Sequence, residues 1–186
     1  MSELVVAFDP DVWVDLAQAA ADPGQTVSRL AAVAAAGQPF ESQELADVLG
    51  RWAQPDLSET RLLLLADPLE PVLIVTLDQY PAGGLSLAQA VSQRVGPEAE
   101  ASLQEVEVAG EPCLRAIDFA TAGQLSDQEP DPIEGDRLWA TLWYFRLLDG
   151  LEGAVLVSAA LFTERIDAIP VVDALMADLI GSLRVE

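Results

Sequence analysis

The chain has 186 residues, of which 51% are hydrophobic, which is enough for one substantial core but short for two. It carries 31 acidic and 9 basic residues, giving a formal net charge of −22. Nucleic acids and anionic membranes are themselves polyanions, so this charge opposes unassisted binding to either. It fits an acidic solvated surface, and it would also suit a basic partner.

Two residue types are missing, and their absence removes several chemistries. The sequence contains no histidine and no lysine, because every basic residue is an arginine. Serine-histidine and cysteine-histidine nucleophile pairs, zinc sites with histidine ligands, Schiff-base catalysis and the phosphate-binding P-loop are therefore excluded. Acidic residues are too numerous for a pair of catalytic carboxylates to be recognised. We expect a protein that is not an enzyme and has no cofactor.

The only cysteine, Cys113, rules out an internal disulfide and fits a reducing compartment. It follows Pro112 on a predicted strand, so a small core residue is a better interpretation than a nucleophile. No apolar run is long enough to span a membrane, and the first residues lack the pattern of an export signal. A cytoplasmic location without membrane insertion is therefore expected.

The N-terminal part predicts a ribbon and then two helices. Leu4–Phe8 and Val12–Leu16 are strand candidates separated by a turn signal, and we expect them to form an opening ribbon. Asp22 stands before a proline and has the side chain of a helix cap, so a helix should follow it. A second helix with Trp52 on its apolar stripe would complete a helical hairpin at about 22–54.

The middle of the chain predicts strands on either side of one helix. Residues 61–66 and 72–77 are apolar runs typical of strands. Ser86 and Gln89 make a capping-box pattern, which predicts the start of a helix. Residues 103–109 alternate glutamate with valine, as in a strand with one solvated face, and residues 113–120 form the next strand.

The stretch 123–136 predicts a mobile acidic loop. Asp127, Glu129 and Asp131 alternate as the ligands of a calcium-binding loop do. Pro132 occupies the position at which the sharp turn of such a loop needs glycine, so the calcium interpretation fails. We expect no metal site here.

The C-terminal third gives the strongest structural signal. Residues 137–148 predict a strand that is apolar on both faces, Asp149-Gly150 is a turn signal, and residues 153–163 are small and apolar as in a central strand. A helix beginning near 166–169 and running to Leu183 has an apolar stripe. Both faces of this hairpin need covering layers, so an α+β fold is expected, with a mainly antiparallel sheet between helices.

This order of elements resembles the PsbP-like α/β/α sandwich group, which includes bacterial proteins of the LpqN and DcrB kind. The resemblance rests on five pieces: the opening ribbon with Trp13, the hairpin Arg61 to Leu77, the Ser86 helix, the turn Val108 to Arg115, and the closing unit Leu142 to Arg184. It implies a single domain over 1–186, with the helical hairpin at about 22–54 as an insertion. It further implies a binding or adaptor role without catalysis, and no active-site residues carry over.

Candidate contact residues come from the aromatic strand, two arginines and the inserted hairpin. Trp139, Trp143 and Phe145 share a strand face, which could be a ligand groove or core. Arg115 and Arg146 lie within apolar strands and should either pair with a carboxylate or emerge at a rim. Trp52 would add a contact from the hairpin.

The predicted function is a protein-binding accessory role, as an adaptor or chaperone linked to secretion or assembly of a partner protein. Two alternatives remain open at this point. One is a small-ligand-binding protein or carboxylate-dependent enzyme, and the other is a homo-oligomeric structural subunit such as a homodimer.

Overall fold

The computed structural model describes residues 4–9, 13–22, 24–26, 28, 60–64, 73–95, 102–121, 138–150, 153–163 and 166–185. The chain divides into two compact units, Met1–Ala7 with Leu77–Glu186 and Phe8–Thr76. Most of the predicted hairpin at 22–54, with Trp52, lies outside the described residues, as does the acidic loop 123–136. The insertion and the absence of a calcium site therefore remain predictions.

The larger unit is built on five strands in the order β4-β8-β7-β6-β5. Its sheet is antiparallel, with β5 outermost among the described strands of the unit. The strands are β4 (Leu73–Pro81, of which Leu77 onward belongs to this unit), β5 (Gln104–Val108), β6 (Glu111–Thr121), β7 (Leu138–Gly150) and β8 (Gly153–Thr163).

Strands β7 and β8 make the central hairpin, and its register corrects the predicted turn. Asp149 and Gly150 are not the turn residues, because they pair with Ala154 and Gly153 as the last rungs of the ladder. The turn predicted at Asp149-Gly150 was wrong, because both residues belong to the ladder between β7 and β8. The predicted start of β8 at Gly153 is confirmed.

Helices cover both faces of this sheet. The 14-residue helix Ile169–Ser182, which is α3 in chain order, lies over the face that carries Tyr144 and bonds to that tyrosine through Asp173. A six-residue helix, Leu87–Ser92 or α2, packs its Val91 in a cluster with Phe145. Tyr144 and Phe145 are successive residues of a strand and point to opposite faces. The predicted α+β fold with a helical layer on each face is confirmed.

The capping box of α2 forms as predicted. The Ser86 backbone N–H donates to Gln89 Oε1 at 3.0 Å, and the Gln89 N–H donates to Ser86 Oγ at 3.4 Å. These reciprocal bonds satisfy donors that the first helical turn would otherwise leave open.

The end of α3 departs from the prediction. The helix stops at Ser182, and Leu183 begins a three-residue strand, Leu183–Val185 or β9, which pairs antiparallel with β1 at Leu4–Val6. The predicted ribbon between the first two strand candidates is therefore wrong. Two strands of three residues that are almost the whole chain apart carry too little local pattern to reveal their pairing.

In the smaller unit, β2 (Trp13–Asp15) pairs antiparallel with β3 (Thr60–Leu64). The second strand candidate was expected to continue through Leu16, which instead begins a six-residue helix, Leu16–Ala21 or α1. The Asp15 carboxylate accepts from the N–H groups of Ala17 and Gln18 at 2.8 and 3.1 Å, so it caps the helix. Asp22, predicted as a cap, accepts from Gln25 N–H at 3.0 Å.

None of the helices within the described ranges is long and apolar enough to cross a membrane.

Candidate functional site

The aromatic strand β7 is mostly part of the core. Trp143 and Phe145 stack with their ring planes 3° apart and their centroids 6.0 Å apart. Phe145 is buried, and the half-buried Trp143 packs against the same cluster as Ala90 and Val91 of α2. Trp139, two rungs along the same face, is half-buried as well. Helix α2 thus occupies much of the face that was a candidate groove.

Arg115 forms an ion pair with a carboxylate on α3. Its Nε and Nη2 donate to Asp173 Oδ1 and Oδ2, each at 2.8 Å, in a side-on fork. Both side chains are about one-fifth exposed, at 21% for Arg115 and 23% for Asp173. The expectation that an arginine inside an apolar strand pairs with a carboxylate is met here.

Tyr144 completes this cluster, which we call the Asp173 cluster: Asp173, Arg115 and Tyr144. The tyrosine hydroxyl donates to Asp173 Oδ1 at 2.9 Å. Burial, followed by the hydrogen bond and the negative charge of Asp173, raises the pKa of Tyr144 well above its ordinary value. Since both oxygens of Asp173 accept hydrogen bonds from the sheet, this carboxylate joins helix α3 to the sheet.

Arg146 donates hydrogen bonds to the C-terminal end of α3. Its Nη1 donates to the carbonyl of Ile180 at 2.6 Å and to that of Gly181 at 3.2 Å. The last carbonyls of a helix lack partners within the helix and carry partial negative charge, so a guanidinium there satisfies both needs. Within the described ranges, the partners of the Arg146 side chain are therefore main-chain carbonyls at the end of α3, where a carboxylate or a position at a rim had been expected.

Cys113 is a core residue, as predicted. It is 1% exposed and pairs with Arg146 across β6 and β7. Burial raises the pKa of the thiol, although the positive charge of Arg146 partly opposes that shift. A protonated, enclosed thiol is a poor nucleophile.

A cleft of a different kind lies between the start of α2 and the β5-β6 hairpin. This cleft, which we call the β5 cleft, has a volume of about 550 Å³. Its lining comprises Ser86, Leu87, Ala88, Glu105, Val106, Glu107, Gly110, Pro112, Cys113 and Leu114. Most of these residues are exposed or half-buried, so the cleft opens to solvent and combines apolar walls with two carboxylates.

The β5-β6 hairpin fixes how those carboxylates are presented. Ala109 and Gly110 have φ of 53° and 82°, the left-handed values of a two-residue hairpin turn, and Val108 pairs with Glu111 on either side of it. The pair that closes such a turn is hydrogen-bonded, and bonded and non-bonded pairs then alternate along the ladder. Val106 therefore bonds to β6, whereas the backbone groups of Glu105 and Glu107 point outward.

Pro112 fits this alternation, because it is the partner of Glu107 and has no N–H to donate. The side chains of Glu105 and Glu107 fall on the face that carries Leu114, since Glu105 pairs with Leu114. Each of the two glutamates thus offers an outward backbone donor and acceptor together with a carboxylate beside the cleft.

The β5 cleft offers a ligand hydrogen-bonding groups, apolar surface and negative charge. Among the described residues there is no group of three or more histidine, cysteine, aspartate or glutamate side chains that could hold a metal ion. The site consists of a sheet edge, an apolar trough and two negative charges, which together suit a segment of extended chain.

Sequence analysis identified residues 103–109 as a strand with one solvated face, but it did not identify Glu105 and Glu107 as site residues. The alternation was visible, whereas the position of β5 at the edge of the sheet depends on strand order. Of the predicted contact residues, Arg115 and Arg146 lie on the opposite face and bind α3. Trp143 packs beside α2, and neither Trp139 nor Trp143 lines the β5 cleft.

No family model matches the chain, and no curated protein matches it. A solved structure described as LpqN involved in cell envelope biogenesis of Mycobacterium tuberculosis aligns with a TM-score of 0.48 and 10% sequence identity, covering 100% of this chain and 84% of that one. This likeness is a resemblance of fold, so membership of the PsbP-like group remains a prediction.

Proposed function

We propose that this protein is a non-catalytic, protein-binding accessory factor that acts as an adaptor or chaperone for a partner and engages it at the β5 cleft. The observation that carries the proposal is the coincidence of a sheet edge with an apolar, acidic trough of about 550 Å³. An edge strand offers unused backbone hydrogen bonds, and the trough offers apolar area and charge to the same ligand.

The proposal also includes a role in bacterial secretion or assembly, and a cytoplasmic location. Support comes from the single buried cysteine and from the net charge of −22, which keeps the free protein soluble and attracts basic partners. The sequence resemblance to the PsbP-like group favours the same class of function.

Site-specific photo-crosslinking in the native host tests this proposal. A benzoylphenylalanine at Ala88, which lines the cleft, should cross-link to one protein partner, whereas the same label at Asp178 on the exposed side of α3 should not. The identified partner must then bind the purified chain with one-to-one stoichiometry. Equal cross-linking at both positions, or a captured protein that fails to bind when purified, would contradict the proposal.

A further inference from the structure

The chemistry of the β5 cleft also indicates what kind of segment it binds. We propose that β5 accepts an extended basic segment of a partner protein, which adds as a further strand to the sheet and places cationic side chains opposite Glu105 and Glu107. This inference rests on the proposed function and specifies its binding mode.

The first step of the argument is the free edge. β5 is the end strand among the described strands of its unit, and the alternation set by its hairpin turns the N–H and C=O groups of Glu105 and Glu107 outward. A new strand at the usual spacing of about 4.8 Å could bond to both residues. Such main-chain pairing is the basis of strand addition in peptide-binding domains.

The second step is charge. In an added strand, the residues opposite Glu105 and Glu107 project their side chains on the same face as the two carboxylates. Arginine or lysine at those two positions forms cross-strand ion pairs, and the intervening residue faces the side of Val106. The preferred segment therefore alternates basic with apolar residues.

The third step is the apolar wall. Leu87 and Leu114 line the cleft beside the carboxylates and are half-buried and buried, respectively. The methylene stem of an arginine or lysine can cover apolar surface while its charged end reaches a carboxylate. The trough therefore suits long cationic side chains better than short polar ones.

The same chemistry disfavours a second copy of this chain as the occupant. Two β5 strands paired edge to edge would bring two copies of Glu105 and of Glu107 together, and like charges on neighbouring strands repel. Each copy also carries the net charge of −22. The partner we infer is a different, basic chain.

The test measures binding of the peptide Gly-Arg-Val-Arg-Val-Arg-Thr-Gly-amide, labelled with fluorescein at its N-terminus, to the full chain by fluorescence anisotropy. The comparison peptide has the same sequence and charge but carries N-methyl groups on alternate backbone amides, in each of the two possible registers. Blocking the amides that face β5 should weaken binding by about tenfold or more, since it removes main-chain pairing without altering charge.

Two matched double variants separate local from general electrostatics. Glu105→Gln with Glu107→Gln should weaken binding about fivefold, from two cross-strand pairs. Asp149→Asn with Asp178→Asn changes the net charge equally at exposed positions outside the cleft lining, and should change binding less than about twofold. All four positions are exposed, so circular dichroism should show both variants folded.

Three results would overturn the inference. The first is equal affinity for the parent peptide and both N-methylated peptides. The second is an equal loss of peptide affinity in the two double variants. The third is a homodimer, detected by light scattering, that the substitution Glu107→Pro converts to a monomer. The proposed function is tested separately. A cross-linked partner that binds the cleft but does not compete with the parent peptide would contradict only the strand-addition mode. If the label at Ala88 cross-links to no protein in the native host, the accessory role itself is contradicted.

Discussion

The Asp173 cluster gives a stability prediction that can be worked out from the structure. Asp173→Ala removes the acceptor of two arginine N–H bonds at 2.8 Å and of the Tyr144 hydroxyl bond at 2.9 Å. It leaves Arg115, whose side chain is 21% exposed in the native protein, without its carboxylate. We expect the free energy of unfolding to fall by about 2 kcal/mol.

The magnitude follows from opposing effects. A hydrogen bond to a charged group contributes about 1.5–3 kcal/mol when buried, and exposure to solvent lowers that figure for an ion pair. Replacing aspartate by alanine within a helix also stabilises the helix by about 0.5 kcal/mol, because alanine has the higher helix propensity. Asp178→Ala is the matched control, because it makes the same replacement on the same helix at an exposed position.

Urea unfolding followed by circular dichroism measures both variants, and Arg115→Met completes a double-mutant cycle. The cycle should give a coupling energy between Arg115 and Asp173 of about 1 kcal/mol. The account is refuted if Asp173→Ala costs no more than Asp178→Ala, or if the coupling energy is below about 0.3 kcal/mol.

Three further predictions concern the other buried groups. Arg146→Met should lower the free energy of unfolding by about 1–3 kcal/mol and speed amide exchange in the last turn of α3. The Ile180 carbonyl would keep only its bond from the Leu183 N–H, and the Gly181 carbonyl would lose its guanidinium donor. Unchanged exchange in that turn would contradict the capping role of Arg146. Burial raises the pKa of Tyr144 above its ordinary value of about 10. The contribution of Tyr144 to stability should therefore be complete below about pH 10 and fall at higher pH, where the phenol ionises in the unfolded chain. Tyr144→Phe should reduce this loss in urea titrations repeated from about pH 8 to 11. Cys113 should react with a thiol reagent such as dithionitrobenzoate far more slowly in the native protein than in urea, and equal rates would show that it is accessible.

The parts of the fold that follow from local pattern were predictable. The apolar run bounded by Gly153 and Thr163 is β8 to the residue, and the Ser86 capping box marks the start of α2. The hairpin turn after β7 was misplaced, since aspartate-glycine favours a turn but does not require one when ladder pairing can continue through it.

The parts that depend on distant pairing were not predictable. An arginine inside β6 required a partner, but nothing in the sequence identifies Asp173, which lies 58 residues away. The pairing of β1 with β9 is equally non-local. Glu105 and Glu107 carry an ordinary solvated-strand pattern, and only the strand order makes them the acidic edge of a cleft.

Amide hydrogen exchange at β5, measured by nuclear magnetic resonance with and without the arginine-valine peptide, tests the central claim most directly. In the free protein the Val106 amide should be protected by its bond to β6, while the Glu105 and Glu107 amides exchange fast. Saturating peptide should slow exchange at Glu105 and Glu107 by about tenfold or more and leave Val106 unchanged. Protection of all three amides in the free protein, or exchange at Glu105 and Glu107 that peptide does not alter, would contradict the account.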